Sequence, residues 1–163
     1  MAESELSVAR ELNRLLRERR LTVAVAEGST GGRIGERLVR YAGATAYFKG
    51  AVVTYDYNSR TALLGIPQTS LVEHGTVSEY VARAMAEAVR GRFGADLGLA
   101  GTGVAGPSGR DVGLVWTAVA TLHGTIAREA RLLAAPRQRL HAGFTLIALQ
   151  LLREAVLSHP SVP

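Results

Sequence analysis

The sequence predicts a three-layer α/β/α fold with a mixed β-sheet, and three features point to this class. Helical and strand patterns alternate through the first part of the chain, which is typical of parallel strands joined by helices. A strand–turn–strand pattern follows later and predicts an antiparallel hairpin. The length of 163 residues suits one hydrophobic core. We therefore expect a single domain over residues 1–163.

The first half of the chain alternates between amphipathic and short apolar segments. Leucines and alanines recur at helical spacing near the N-terminus, and a β-branched run follows that is typical of a buried strand. In chain order we predict a helix over 5–20, a strand over 21–26, a turn over 27–32, a helix over 33–41, a strand over 47–55 and a short helix over 58–64.

The second half continues this alternation and then changes to the hairpin. Ser78 is a suitable N-cap for a helix, and Pro136 suits the first turn of the last one. In chain order we predict a loop over 67–78, a helix over 79–92, a strand over 95–102, a glycine-rich loop over 103–110, strands over 112–122 and 126–133 around a turn at 123–125, and a final helix to about 158.

The composition excludes several kinds of site. The chain has no cysteine, which rules out disulfides, thiolate metal ligands and a cysteine nucleophile. The formal net charge is +5, and of the 19 basic residues only Lys49 is lysine. The arginines are scattered over polar faces, apart from one group in the first helix that Glu11 and Glu18 partly offset. This pattern favours a solvated surface over a nucleic-acid groove. The group of arginines in the first helix consists of Arg14, Arg17, Arg19 and Arg20.

The N-terminus is acidic and polar, and it lacks the basic and apolar regions of a signal peptide. No uncharged apolar run approaches the ~18 residues that a membrane span needs. We therefore expect a cytoplasmic protein that does not enter a membrane.

The glycine-rich segment from Gly101 to Gly106 formally matches G-x-G-x-x-G after a strand. A dinucleotide fingerprint must then open a helix, whereas Pro107 and another strand pattern follow here. The dinucleotide interpretation is therefore rejected. The loop can still hold an anion through its backbone N–H groups and Arg110, or it can be a plain tight connection, and the sequence leaves both open.

The turn over 27–32 joins the first strand to the second helix. Ser29 or Thr30 can cap that helix. A helix N-terminus at the carboxyl end of a strand is also where α/β proteins bind anions, so the phosphate of a nucleotide would fit near Gly31 and Gly32.

The same turn carries a resemblance to a known family. Residues 26–32, Ala-Glu-Gly-Ser-Thr-Gly-Gly, resemble the Ala-Glu-Ser-Cys-Thr-Gly-Gly motif of the CinA C-terminal domain family. The resemblance implies the CinA α/β fold, usually as a dimer, and an ancestral reaction without metal or organic cofactor. That reaction hydrolyses nicotinamide mononucleotide to nicotinate mononucleotide and ammonia. The likeness covers nearly the whole chain through segments 47–55, 63–66, 74–78, 103–109, 112–116 and 148–152.

The positions that the resemblance marks as catalytic have changed. It implies a serine nucleophile, a lysine base and a helping tyrosine, and this chain has Gly28, Arg60 and Tyr55 there. Glycine has no group with which to attack an amide. Arginine stays protonated, with a pKa above ~12, and cannot act as a neutral base. Lys49 lies about 20 Å from Tyr55 along the predicted strand at ~3.3 Å per residue, too far to replace the base.

Two further departures affect the substrate side. The family's last helix carries two arginines four residues apart that look suited to a phosphate, and this chain has Arg137 and then His141. The loop after Pro107 is also several residues shorter than in the family. Nucleophile, base, phosphate ligand and loop have therefore changed together.

Our main hypothesis is a catalytically impaired CinA-like domain that acts by ligand binding or self-association. Its ligand would be anionic and nucleotide-like. The alternative is an active amidohydrolase with Ser29 or Thr30 as a displaced nucleophile, helped by Tyr55 and His141. A third possibility, DNA binding through the first helix, is the weakest. We expect one pocket to face Gly28, Tyr55, Arg60, Gly106 and Arg137.

Overall fold

The computed structural model describes residues 3–159. Five strands form one sheet and helices flank it. The elements are α1 (Glu5–Glu18), β1 (Val23–Glu27), α2 (Arg33–Val39), a 3₁₀ turn (Ala44–Ala46), β2 (Phe48–Val53), α3 (Tyr57–Leu64), α4 (Gln68–His74), α5 (Glu79–Phe93), β3 (Leu97–Gly103), β4 (Leu114–Thr121), β5 (Gly124–Arg131) and α6 (Arg137–Ser158).

The sheet is mixed, as the sequence predicts. Its strand order is β2-β1-β3-β4-β5. Strand β1 pairs in parallel with both β2 and β3, whereas β4 runs antiparallel to β3 and to β5. Because β1 and β3 are adjacent and parallel, their carboxyl ends open on the same edge of the sheet. That edge is where open α/β sheets bind ligands.

The sheet lies between two helical layers, which confirms the predicted α/β/α arrangement. Alternate residues of β1 face opposite layers. Val23 and Val25 pack in a core with α1, α2 and α6, whereas Ala24 and Ala26 pack in a core with α3, α4 and α5. The small side chains let α5 approach the sheet closely. A Cβ atom at Gly98 would lie 2.1 Å from the carbonyl oxygen of Ala86.

The loop predicted over 67–78 was wrong in part, because it contains helix α4. Pro67 precedes this helix and Leu71 is its single buried residue. A seven-residue helix with one buried position shows no helical period, so the sequence pattern does not reveal it. Ser78 caps α5 as predicted, because its side chain accepts a hydrogen bond from Val81 N–H at 3.3 Å.

The hairpin turn is one residue earlier than predicted. Strand β4 ends at Thr121 and β5 begins at Gly124, and these two residues pair. Leu122 and His123 therefore form a two-residue turn. Gly124 is the first residue of β5 and lies outside the turn. Its φ of 140° is a conformation that favours glycine.

Helix α6 is long and apolar enough to cross a membrane on length and composition, and among residues 3–159 it alone passes that test. In the structure half of its apolar stretch is buried, in the same core as α1 and the sheet. Packing in the core accounts for its composition.

Many arginines of the α1, α2 and α6 layer are paired with carboxylates. Glu5 accepts from Arg33 at 2.9 Å and from Arg37 at 2.7 Å. Arg153 of α6 contacts Glu3 at 2.6 Å and Glu11 at 3.0 Å. On this side of the sheet, part of the positive charge is thus offset within the protein.

Candidate functional site

A pocket of about 290 Å³ opens at the carboxyl ends of β1 and β3. The loop after β3 and the start of α6 contribute to its wall. No acidic side chain, histidine or lysine lines it among the residues that the structure describes. Its polar lining residues are Ser29, Tyr55, Arg60, Thr76, Ser108 and Arg137.

Gly28 lies directly against the Arg60 guanidinium. A Cβ atom at position 28 would lie 3.0 Å from Nη2 of Arg60, which is closer than such contacts normally are. The backbone of Gly28 is not in the left-handed region, and its N–H donates to the carbonyl oxygen of Gly101 at 2.9 Å. The backbone would therefore accept a serine, and the guanidinium is what opposes it. The two positions that differ from the resembled motif are therefore in direct contact.

Arg60 is 5% exposed, and it is held only by neutral acceptors. Its Nη1 donates to the Thr76 carbonyl at 2.6 Å, and its Nη2 donates to Thr102 Oγ1 at 3.1 Å. Its Nε donates to the Thr54 carbonyl at 3.4 Å. Burial lowers the pKa of the guanidinium below its usual value, yet an arginine stays protonated at neutral pH. Arg60 is thus a buried cation that has no carboxylate partner within residues 3–159.

Arg137 lies at the exposed rim of the same pocket. Its Nη1 donates to the carbonyl oxygen of Gly106 at 2.7 Å, and its Nη2 donates to the hydroxyl of Tyr55. Tyr55 is 60% exposed. The structure therefore brings together four of the five residues expected to face the pocket, namely Tyr55, Arg60, Gly106 and Arg137. The fifth, Gly28, does not line the pocket and lies immediately behind Arg60.

The prediction that Ser29 or Thr30 caps α2 is wrong. Gly32 is the N-cap residue and makes no side-chain cap. The carboxylate of Glu27 takes that role, because it accepts from the N–H groups of Gly32 and Ile34 at 3.0 Å each and of Gly35 at 2.8 Å. It also accepts from the Thr30 hydroxyl at 2.7 Å.

Sequence reasoning missed Glu27, although one signal pointed to it. A glutamate directly before a glycine-rich turn into a helix can accept hydrogen bonds from the unpaired N–H groups of the first helical turn. The same reasoning missed Thr54, Thr76 and Thr102, which hold Arg60. Two of those acceptors are backbone carbonyls, which no side-chain pattern reveals.

The glycines of the turn serve the helix start and not the pocket. Gly31 and Gly32 have φ values of 61° and 100°, which let the chain turn into α2. Neither glycine lines the pocket, and neither does Thr30, which is buried. Of the turn residues, Ser29 alone faces the pocket.

His141 does not line the pocket either. Its Nε2 atom is buried and has no hydrogen-bond partner within residues 3–159. Burial lowers the pKa of this imidazole, and the positive charges of Arg137 and Arg33 lower it further. His141 is therefore neutral near pH 7, and a neutral imidazole does not replace a phosphate-binding arginine.

The remaining candidates lie away from the pocket. Lys49 is exposed on β2 and Arg110 is exposed on the loop, and neither lines the pocket. The loop leads into β4 and not into a helix, which agrees with the rejection of the dinucleotide interpretation. Within residues 3–159 there is no cluster of three or more metal-ligating His, Asp or Glu side chains.

The sheet order, the two helical layers and the edge pocket define an α/β/α domain with a polar pocket at the carboxyl edge of its sheet. A model of the CinA C-terminal domain family matches residues 5–156. The chain therefore belongs to the CinA C-terminal domain family, which confirms the resemblance drawn from its motifs.

Relatives and solved structures agree with this assignment. A CinA-like protein of Shewanella frigidimarina is 36% identical over 173 residues, covering 100% of this chain and 41% of that protein. A CinA-like protein of Dictyoglomus turgidum is 36% identical over 159 residues, covering 96% and 39%. The chain thus spans about two fifths of the length of these curated relatives.

Two crystal structures show the same fold. The competence/damage inducible protein CihA from Agrobacterium tumefaciens superposes with a TM-score of 0.90 at 30% identity, covering 97% of this chain and 100% of that one. The competence damage-inducible protein A (ComA) from Klebsiella pneumoniae superposes with a TM-score of 0.92 at 25% identity, covering 97% and 100%.

Proposed function

We propose that this chain is a CinA-family domain that binds an anionic, nucleotide-like small molecule and no longer hydrolyses amides by a serine–lysine route. The observation that carries this proposal is the contact between Gly28 and Arg60. The Nη2 atom of Arg60 lies 3.0 Å from where a side chain at position 28 would begin. The guanidinium of Arg60 therefore lies directly beside position 28.

The chemistry of the pair opposes amide hydrolysis. A hydroxyl nucleophile needs a neutral base nearby to accept its proton. Arg60 stays protonated, and Gly28 offers no hydroxyl. The two residues can offer positive charge and hydrogen-bond donors, which suit the binding of an anion.

The rest of the pocket supports an anionic ligand. Arg60 on the inner wall and Arg137 at the rim both present positive charge, and no carboxylate among the described lining residues offsets it. The hydroxyls of Ser29, Tyr55 and Ser108 add polar groups around the same space. A volume of about 290 Å³ is near the lower end of small-molecule sites.

The alternative, a displaced nucleophile, has little support. Thr30 donates its hydroxyl to Glu27 and does not line the pocket. Ser29 lines the pocket, but no histidine, lysine or carboxylate lines it alongside to take the proton. His141, the proposed helper, lies outside the lining.

Two measurements on the purified protein test the proposal. Ammonia release from nicotinamide mononucleotide should be absent, and turnover of about 1 s⁻¹ or faster would refute the loss of activity. Calorimetric titration with nicotinamide and nicotinate mononucleotides should show binding of at least one. If neither nucleotide binds at millimolar concentration, the ligand-binding proposal is wrong.

The double replacement Gly28→Ser with Arg60→Lys tests the lost pair directly. The shorter lysine leaves room for the serine, and a desolvated lysine can be a neutral base. We expect measurable ammonia release from the double variant and none from either single variant, because nucleophile and base act as a unit. The matched control is Gly28→Ala with Arg60→Lys, which should be folded and inactive.

The oligomeric state and location stay predictions. The resemblance implies a dimer, and the composition implies the cytoplasm. Sedimentation at micromolar concentration tests the first and fractionation of cells tests the second. The activity of any longer protein that contains this domain is a separate question, since the chain covers about two fifths of its relatives.

A further inference from the structure

We propose that Arg60 makes the pocket selective for a carboxylate, so that the domain binds the acid form of its ligand in preference to the corresponding amide. This inference rests on the proposed function and deepens it, because it names the ligand group that meets the inner wall. It follows from the hydrogen bonds, the burial and the surroundings of Arg60.

A guanidinium has five N–H donors. Three of them are used, one each by the Thr54 carbonyl, the Thr76 carbonyl and Thr102 Oγ1. One N–H on each terminal nitrogen therefore has no acceptor within residues 3–159. Two donors on neighbouring nitrogens form the fork that matches the two oxygens of a carboxylate.

The positive charge of Arg60 is buried without a counter-charge among the described residues. Arg60 is 5% exposed, and all three of its acceptors are neutral. A buried charge without a counter-charge is unfavourable, and burial indeed lowers the pKa of this guanidinium. A bound anion offsets that desolvation, whereas a neutral carboxamide does not. Moreover, a carboxamide presents an NH₂ group, which donates and cannot accept from either free N–H.

The two arginines of the pocket lie at different depths. Arg60 lines the inner part of the pocket beside Gly28 and the Thr102 hydroxyl, whereas Arg137 lies at its exposed rim. A planar carboxylate with two oxygens needs less space on the inner wall than a tetrahedral phosphate does. We therefore assign the inner arginine to a carboxylate and leave a phosphate to the exposed rim.

The test uses a matched pair of ligands that differ only at this group. Nicotinate mononucleotide carries a carboxylate where nicotinamide mononucleotide carries a carboxamide. Calorimetric titration of the unaltered protein at low salt should show at least tenfold tighter binding of the acid. This comparison needs no variant, so it does not depend on a substituted protein that folds.

Variants then assign the preference to one residue. Arg60→Met should reduce the acid-to-amide ratio of affinities to less than twofold. Arg137→Met should weaken both nucleotides by a similar factor and keep the ratio. Arg139→Met is the matched control, because Arg139 is exposed on the same helix as Arg137 and does not line the pocket. It should change neither affinity.

A third ligand distinguishes the carboxylate from the phosphate. Nicotinate riboside has the carboxylate and lacks the phosphate, and its binding should be lost in Arg60→Met and retained in Arg137→Met. Equal affinity for acid and amide would overturn this inference and leave the proposed function standing. Unchanged riboside binding in Arg60→Met would overturn it too. Failure of both nucleotides to bind would instead refute the proposed function.

Discussion

Two buried charges lie near the carboxyl end of β1, and the protein treats them in opposite ways. Glu27 is fully buried and accepts four hydrogen bonds from Thr30 and the first turn of α2. Arg60 is 5% exposed, donates to three neutral acceptors and faces a pocket. Among the buried residues that the structure describes, these two are the charged ones.

The difference separates a structural charge from one available to a ligand. The donors around Glu27 belong to the protein and are fixed by the backbone, so this carboxylate is complete without a ligand. Arg60 lines the pocket, and among the described residues it has two N–H groups without an acceptor and no counter-charge. Burial alone therefore does not show which role a charged residue has, and the decisive feature is whether its partners lie inside the chain.

The largest expected effect is on stability and concerns the buried carboxylate of Glu27. Glu27→Gln replaces an acceptor by an amide whose NH₂ group would face N–H donors, so we expect the free energy of unfolding to fall by about 2–4 kcal/mol. Urea denaturation measures this change. Glu129→Gln is the matched control, because Glu129 is exposed on β5, and it should be neutral. An equal effect of both substitutions would contradict the assignment of Glu27.

Removal of one donor to Glu27 should give a smaller loss. Thr30→Val keeps the shape and removes the hydroxyl that donates at 2.7 Å, so we expect a loss of about 1–2 kcal/mol. Ser29→Ala at the neighbouring position should leave the melting temperature unchanged, since Ser29 does not cap the helix. A larger loss from Ser29→Ala than from Thr30→Val would reverse this interpretation.

Substitution of Arg60 should change stability less than substitution of Glu27. Arg60→Met removes a buried cation that lacks a counter-charge, although it also removes one donor from the Thr54 carbonyl and one from the Thr76 carbonyl, which keeps its hydrogen bond from Thr102 Oγ1. These effects oppose each other, so the unfolding free energy without ligand should change by only about 1 kcal/mol or less. Thermal melts with and without nicotinate mononucleotide measure both states. A fall as large as that of Glu27→Gln would make Arg60 a structural residue as well.

The smallest effect concerns pH. The folded-state pKa of His141 lies below its ordinary value of 6.5, because of burial and then of Arg137 and Arg33. Below pH 6.5 the unfolded chain therefore binds a proton that the folded chain resists, and stability falls as the pH drops. His141→Gln should flatten the stability profile between pH 5 and 7.

The sequence predicts most of the fold because its strong signals are periodic. The β-branched run of β1 and the alternation of strands and helices identify the sheet and both layers. Helix α4 has one buried residue and so leaves no period to read. In the site, motif positions predicted Arg60, Tyr55 and Arg137, whereas the cap by Glu27 was missed because its partners are backbone N–H groups brought close only by the turn.

The contact between Gly28 and Arg60 also means that substitutions at these two positions should be coupled. The Nη2 atom of Arg60 lies 3.0 Å from where a side chain at position 28 would begin, so the two residues are close neighbours. The effect of Gly28→Ser on the free energy of unfolding should therefore depend on whether residue 60 is arginine or lysine.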